Sequence, residues 1–285
     1  MLNEDIIGLS IEETFQYTWR DLVLYNLSVG ATQENLELVY EKGLKAVPTY
    51  GTVPCVATFG VEPHIDYPVM PTSLVKDLPG GKFLHMDHSL RLFRPLPTQA
   101  KIYIKKEIVD LYDRGDRGAK IVVEITGTDE NDTPLFVNKM GYLKQGCGNF
   151  GGKKEASRLF KLPASSPTSY AEGAFPENVA LLYRLTGDTF PLHADPEIAK
   201  QSGFDRPIIH GLCSLGYACR TLVDLLFPGQ PERMTQIETQ FRTVAFPGDT
   251  FVILVWKIGD GEAVFRMLNS PSGMPILDFG RIYWN

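Results

Sequence analysis

The stretch His210-Gly211-Leu212-Cys213-Ser214-Leu215-Gly216-Tyr217-Ala218-Cys219-Arg220-Thr221-Leu222-Val223-Asp224-Leu225-Leu226, followed by Pro228-Gly229, reads as one long helix. Leu212, Leu215, Cys219, Leu222, Val223 and Leu226 recur at three- and four-residue spacing, which gathers them on one face of a helix. Pro228 cannot continue the hydrogen-bond ladder, so the helix stops before it. Upstream, Asp195-Pro196 predicts the start of a shorter helix. The Asp carboxylate accepts from first-turn amides, and Pro fits the first helical position. Gly203 can close that helix. Downstream, Phe251–Trp256, Ala263–Leu268 and Ile276–Tyr283 read as strands separated by turns such as Gly259-Asp260-Gly261. A long apolar helix followed by antiparallel strands is best buried by a sheet wrapped around it, an α+β arrangement.

The pattern occurs twice. Tyr25-Asn26-Leu27-Ser28-Val29-Gly30 is similar to Tyr183-Arg184-Leu185-Thr186-Gly187-Asp188, 158 positions later. Pro97–Ile104 is matched by Pro247–Leu254 at 150 positions, and Pro134-Leu135-Phe136 with Tyr142 by Pro275-Ile276-Leu277 with Tyr283 at 141. Three degenerate matches in the same order, at a steadily shrinking offset, indicate a duplication whose first copy has longer loops. Each copy reads as helical material followed by strands. Pro48 and Pro54 interrupt the helical region of the first copy, which predicts irregular backbone there. Between the copies lie the glycine-rich, then basic, stretch Gly146–Lys154 and the segment Pro163–Ser169, which reads as an exposed linker. The boundary is expected near residue 160, giving units 1–160 and 161–285.

Composition narrows the function. The chain has 285 residues, 28 basic against 34 acidic, for a net charge of −6. That balance argues against a general nucleic-acid binder, which shows a basic excess. A hydrophobic fraction of 44% with 22% charged residues suits a folded soluble protein. The acidic start Met1–Asp5 has no signal-peptide pattern, and no apolar run is long enough for a membrane span. Cys55, Cys147, Cys213 and Cys219 form no Cys-x-x-Cys pair and are expected as free thiols in a reducing, intracellular setting. The end Tyr283-Trp284-Asn285 is not a Ser-Lys-Leu type peroxisomal signal.

The chemistry concentrates in Tyr183-Arg184-Leu185-Thr186-Gly187-Asp188-Thr189-Phe190-Pro191-Leu192-His193-Ala194-Asp195-Pro196. Asp188 and His193 fall in a Gly/Pro loop before a capped helix, and Pro207-Ile208-Ile209-His210-Gly211 stands at the mouth of the long one. An Asp–His pair can hold and polarise a water for proton transfer. A helix N-terminus with glycine offers an unobstructed N–H to a developing oxyanion. Taken alone, each residue also has a structural role open to it. Asp188 could cap a turn, His193 could be a packed loop histidine and His210 could pack at the helix mouth. Asp195 is assigned to the helix cap, and Cys213 and Cys219 to the core. His193, Asp195 and His210 lack metal-ligand spacing, so no metal is expected.

This segment resembles the hydratase 2 motif of the MaoC-like (R)-specific 2-enoyl-CoA hydratases, the unit also found in peroxisomal multifunctional enzymes of type 2. The likeness spans nearly the whole chain. It includes Tyr25–Ala31, His85–Pro97, Gly148–Lys154 and Gly203–Cys213. The resemblance implies a double hot-dog fold, two hot-dog repeats each with a long helix wrapped by an antiparallel sheet. It implies hydration of trans-2-enoyl-CoA to (3R)-3-hydroxyacyl-CoA in fatty-acid metabolism, with no cofactor beyond the CoA of the substrate. It further implies a homodimer, peroxisomal in a eukaryote and cytoplasmic in a bacterium. The family's catalytic aspartate falls on Asp188, its histidine on His193 and its backbone donor to the thioester oxygen on Gly211. In the first copy these two side chains are replaced by Gly30 and Asn35, which predicts one active site per chain, with the first half accommodating the acyl tail.

Substrate contacts are expected from Phe190, His210, Gly151, Gly152, Lys153 and Lys154. Lys153, Lys154, Arg158 and Lys161 could meet the CoA phosphates or form a solvated stretch. Phe190 departs from the family's usual Gly-Asp-x-Asn-Pro-Leu-His, which carries Asn there. Losing that side chain removes a hydrogen bond worth about 1.5–3 kcal/mol if it served a charged group. Two alternatives therefore stand beside a hydratase: a hot-dog acyl-CoA thioesterase, and a catalytically weak acyl-CoA-binding or scaffold protein.

Overall fold

The computed structural model describes residues 2, 4–56, 78, 81–156 and 160–285. The first half contains β1 (Ser10–Tyr17), α1 (Trp19–Ser28), α2 (Leu36–Val39), α3 (Val53–Val56), β2 (Phe83–Leu92), β3 (Ala100–Asp113), β4 (Ala119–Thr128) and β5 (Pro134–Lys144). The second contains β6 (Ser169–Ala174), α4 (Val179–Tyr183), α5 (Pro196–Gln201), α6 (Gly211–Leu226), β7 (Met234–Phe241), β8 (Thr250–Gly259), β9 (Glu262–Asn269) and β10 (Pro275–Trp284).

The strands form one antiparallel sheet in the order β1-β3-β4-β5-β2-β7-β10-β9-β8-β6. Read inward from either end, each half contributes its first, third, fourth, fifth and second strand. The seam is the β2–β7 pair, where His88 faces Thr239 and Leu90 faces Ile237, all four buried. Tyr25 and Tyr183, the matched tyrosines of the two copies, meet with ring centroids 6.0 Å apart. This is an α+β double hot-dog.

Helix α6 lies in the curved sheet as its periodicity predicts. Leu212, Leu215, Cys219, Leu222 and Val223 are buried, and Leu226 at the end is half-buried. Gly216 lets this helix touch the first half, since a Cβ there would stand 2.4 Å from the Val29 Cγ1. One continuous apolar core therefore spans both halves. The Asp195 carboxylate caps α5 by accepting from the Glu197 and Ile198 amides, with Pro196 in the first turn.

Two expectations need correction. Each half opens with a strand rather than with helical material. The edge strands β1 (SIEETFQY) and β6 (SYAEGA) are half-exposed and polar, so their alternation is faint. Strand β7 (MTQIETQF) was hidden for a similar reason. The segment Pro163–Ser169 is no free linker. It runs along β8, with the Trp256 indole donating to the Ser165 carbonyl and the Thr168 amide to that of Val255. The predicted irregularity at Pro48 and Pro54 is present: a 3-10 turn at Pro48–Thr52 leads into α3, whose first turn accommodates Pro54.

Candidate active site

Two loops of the second half meet at the mouth of α6. The first carries Asp188 and His193, the second Ile208, Ile209 and His210. The His193 Nδ1 is 2.9 Å from the Ile208 carbonyl. A carbonyl only accepts, so Nδ1 carries the proton and Nε2 keeps a bare lone pair. By the same reasoning His210 donates from Nε2 to the Asp188 carbonyl at 3.1 Å. Its Nδ1 is buried without a hydrogen-bond partner. The two imidazoles stack, 3.6 Å between centroids and 25° between planes. The Phe190 amide donates to the Asp188 Oδ1 at 3.3 Å. Gly211 begins α6, so its N–H is one of the first-turn amides that find no acceptor within their own helix.

Asp188, His193, His210 and Gly211 line one cavity of about 570 Å³. Its walls are mainly apolar, including Leu192, Phe204, Ile209 and Ile276 from the second half. Val56, Phe83, His85 and Tyr142 enter from the first half. Burial raises the Asp188 carboxyl above its ordinary value, opposed by the neighbouring His193, the Phe190 amide and Arg184. Burial lowers the His193 imidazole, opposed by Asp188 and the Ile208 carbonyl. Burial holds His210 well below its ordinary value, and the adjacent His193 adds to this. Both rings are therefore mainly neutral near pH 7.

Asp188, His193 and His210 bring possible ligand atoms within 4.8 Å of one another, and are the group among the described residues that could approach a metal. The stacking makes a poor metal site. An imidazole binds in its own plane, and a single ion cannot lie in two nearly parallel planes 3.6 Å apart without swinging one ring off its carbonyl. A hydrogen-bonded water suits the set better.

The other expected substrate contacts separate. The Phe190 side chain is not among the residues lining the cavity, and its ring sits 6.2 Å from that of His193. The Gly151 amide donates to Asp113, whose carboxylate also takes the Gly115 and Asn149 amides and pins the glycine-rich loop. Gly152 lies in that pinned loop, where a Cβ would overlap the Phe150 ring. Lys153 is paired with Asp110 and lies over the Tyr112 ring. Lys154 instead lines a polar hollow of about 550 Å³ with Arg114, Arg117 and Arg242. This hollow shares Met86, Phe241 and Arg242 with the cavity that holds Asp188 and His193. Lys161 is exposed, and Arg158 lies outside the described residues. Sequence reading missed Arg117, Arg242 and His85. Their only signal was charge or a histidine within strand and turn segments that are distant along the chain.

A model described as the MFE-2 hydratase 2 N-terminal domain matches residues 15–146, and one described as a MaoC like domain matches residues 155–270. The enoyl-CoA hydratase ChsH3 of Mycobacterium tuberculosis is 33% identical over 90% of this chain and 89% of its own length. The chain belongs to the MaoC-like hydratase 2 family. Another relative, the peroxisomal enoyl-CoA hydratase 2 of Arabidopsis thaliana, is 30% identical over 87% of this chain and 84% of its own. The crystal structure of a MaoC-like dehydratase from Phytophthora capsici superimposes with a TM-score of 0.87 at 28% identity, covering 100% of this chain and 99% of that one.

Proposed function

We infer that this hydratase 2 family member is a hydratase–dehydratase lyase. It reversibly adds water to trans-2-enoyl-CoA to give (3R)-3-hydroxyacyl-CoA in fatty-acid metabolism. One observation carries the reading: the half-buried Asp188 carboxylate, a His193 imidazole with a bare Nε2 and Gly211, the first residue of α6, line one mainly apolar cavity. In the proposed cycle, one water hydrogen is held by the His193 Nε2 and the other by Asp188. Asp188 takes its proton as the water oxygen bonds to carbon 3. The π electrons move toward the thioester oxygen, where the Gly211 N–H stabilises the negative charge. Asp188 then returns the proton to carbon 2, so atoms and charge balance with no cofactor besides the substrate's own CoA.

Phe190 acts through its backbone amide, which supports the Asp188 carboxylate in place of an asparagine side chain. Lys154, Arg117 and Arg242 are proposed to meet the CoA phosphates, in place of Lys153 and the glycines. The first half supplies wall for the acyl chain. The proposal includes a homodimer, which would cover the exposed Leu27, Leu181 and Leu185. It also includes an intracellular setting, peroxisomal in a eukaryote and cytoplasmic in a bacterium. Four buried free cysteines fit a reducing interior. No helix among the described residues is long and apolar enough to cross a membrane.

The test is incubation with crotonyl-CoA. Loss of the conjugated enoyl-thioester absorbance, a 3R product and no release of free thiol are expected. Thiol release would instead mark a thioesterase, and binding without absorbance loss a scaffold.

A further inference from the structure

His193 and His210 make a crossed pair of hydrogen bonds. His193, on the Asp188 loop, reaches the backbone of the second loop at Ile208. His210, at the end of that second loop, reaches back to the backbone of Asp188 itself. The rings lie in stacked contact, and the Tyr183 ring is tilted against His210 with centroids 4.9 Å apart. His210 is 1% exposed, and the residue after it supplies the amide at the start of α6.

We propose that His210 is a positioning residue: its bond to the Asp188 carbonyl and its stack on His193 clasp the acid–base loop to the helix that carries the Gly211 amide. A water held by Asp188 and His193 and an oxygen held by Gly211 must meet opposite parts of one small conjugated group. The spacing between the two loops is therefore a catalytic distance, and two crossed bonds hold it against both sliding and opening. Displacement by an ångström is enough to lower turnover strongly without ejecting the substrate. His210 thus acts through Asp188 and His193 rather than as the substrate contact expected from sequence, and its effect falls on kcat more than on KM.

This inference rests on the hydratase reading, and the test separates the two. Initial rates of crotonyl-CoA hydration are measured for the wild type and for His210→Phe, His210→Gln and His210→Asn, with melting curves establishing the folded fraction. His210→Phe keeps a stacked ring and loses the donor. His210→Gln places an amide nitrogen near the former Nε2, and His210→Asn is too short to reach the Asp188 carbonyl. Per folded molecule, the Phe variant is expected to lose at least tenfold in kcat with KM within about threefold. The Gln variant is expected to exceed the Asn variant at least fivefold. If the Phe variant fails to fold, the Gln–Asn comparison alone decides. Equal Gln and Asn rates, or a large KM rise with kcat unchanged, would overturn the clasp. A wild type that leaves crotonyl-CoA unhydrated would overturn the hydratase reading, and with it the role assigned to His210.

Discussion

Burial moves the Asp188 carboxyl upward and the His193 imidazole downward, so their proton affinities approach one another. A base whose affinity is drawn toward neutral accepts a proton and returns it with less cost in either direction. Both working forms, ionised Asp188 and neutral His193, are lost on acidification. We expect kcat/KM to be level through neutral pH and to fall in acid, at a pH below the ordinary histidine value of about 6.5, as His193 and Asp188 take up protons. A profile rising toward low pH would contradict these assignments. Stability has its own sign. The folded-state value of Asp188 is raised, so its favourable contribution is fully present below about pH 3.9 and is lost as pH rises from there through the folded value. His193 and His210 are lowered. Their contribution is present above about pH 6.5 and lost as pH falls through their folded values. The Asp188–His193 pair was legible because six consecutive positions carry it. The partners of its backbone were not: the Ile208 carbonyl has no sequence signal, and His210 was legible only as a residue at the helix mouth.

At the scale of elements, α6 and its cap-and-turn neighbours could be read because periodicity, Pro and Gly state local preferences. The half-exposed edge strands could not, because Glu13 breaks the apolar row Ile11, Phe15 and Tyr17 in β1, and the less exposed positions of β6 are Ser169, Ala171 and Gly173. Nor could the contact between helices of different halves, which depends on a single missing side chain. Gly216→Ala tests that contact. Alanine gains about 1 kcal/mol of helix propensity, yet its Cβ would press on Val29 at 2.4 Å, and overpacking costs about 1–3 kcal/mol. A net loss is expected, seen as a Tm lower by a few degrees. A raised Tm would mean that α6 does not lie this close to the first half.

Across the whole molecule, a palindromic strand order is combined with a chemistry proposed for the second half alone. At the positions matched to Asp188 and His193, the first half spends its residues on structure. Gly30 adopts φ 91° with Tyr217 so close that a Cβ would sit 2.6 Å from its ring, and the Asn35 side-chain Oδ1 accepts from the Thr32 amide. Duplication was visible in the sequence from three spaced matches, but the seam through β2 and β7 was not, since pairing between copies leaves no repeat of its own. One acid–base site per chain, centred on Asp188, is expected. Hydration of crotonyl-CoA by Asp188→Asn measures it most directly. A loss of about 10²–10⁴ in kcat is predicted, with a Tm at pH 7 equal to or above that of the wild type, because a buried charge has been removed. Activity within tenfold of the wild type would contradict the claim.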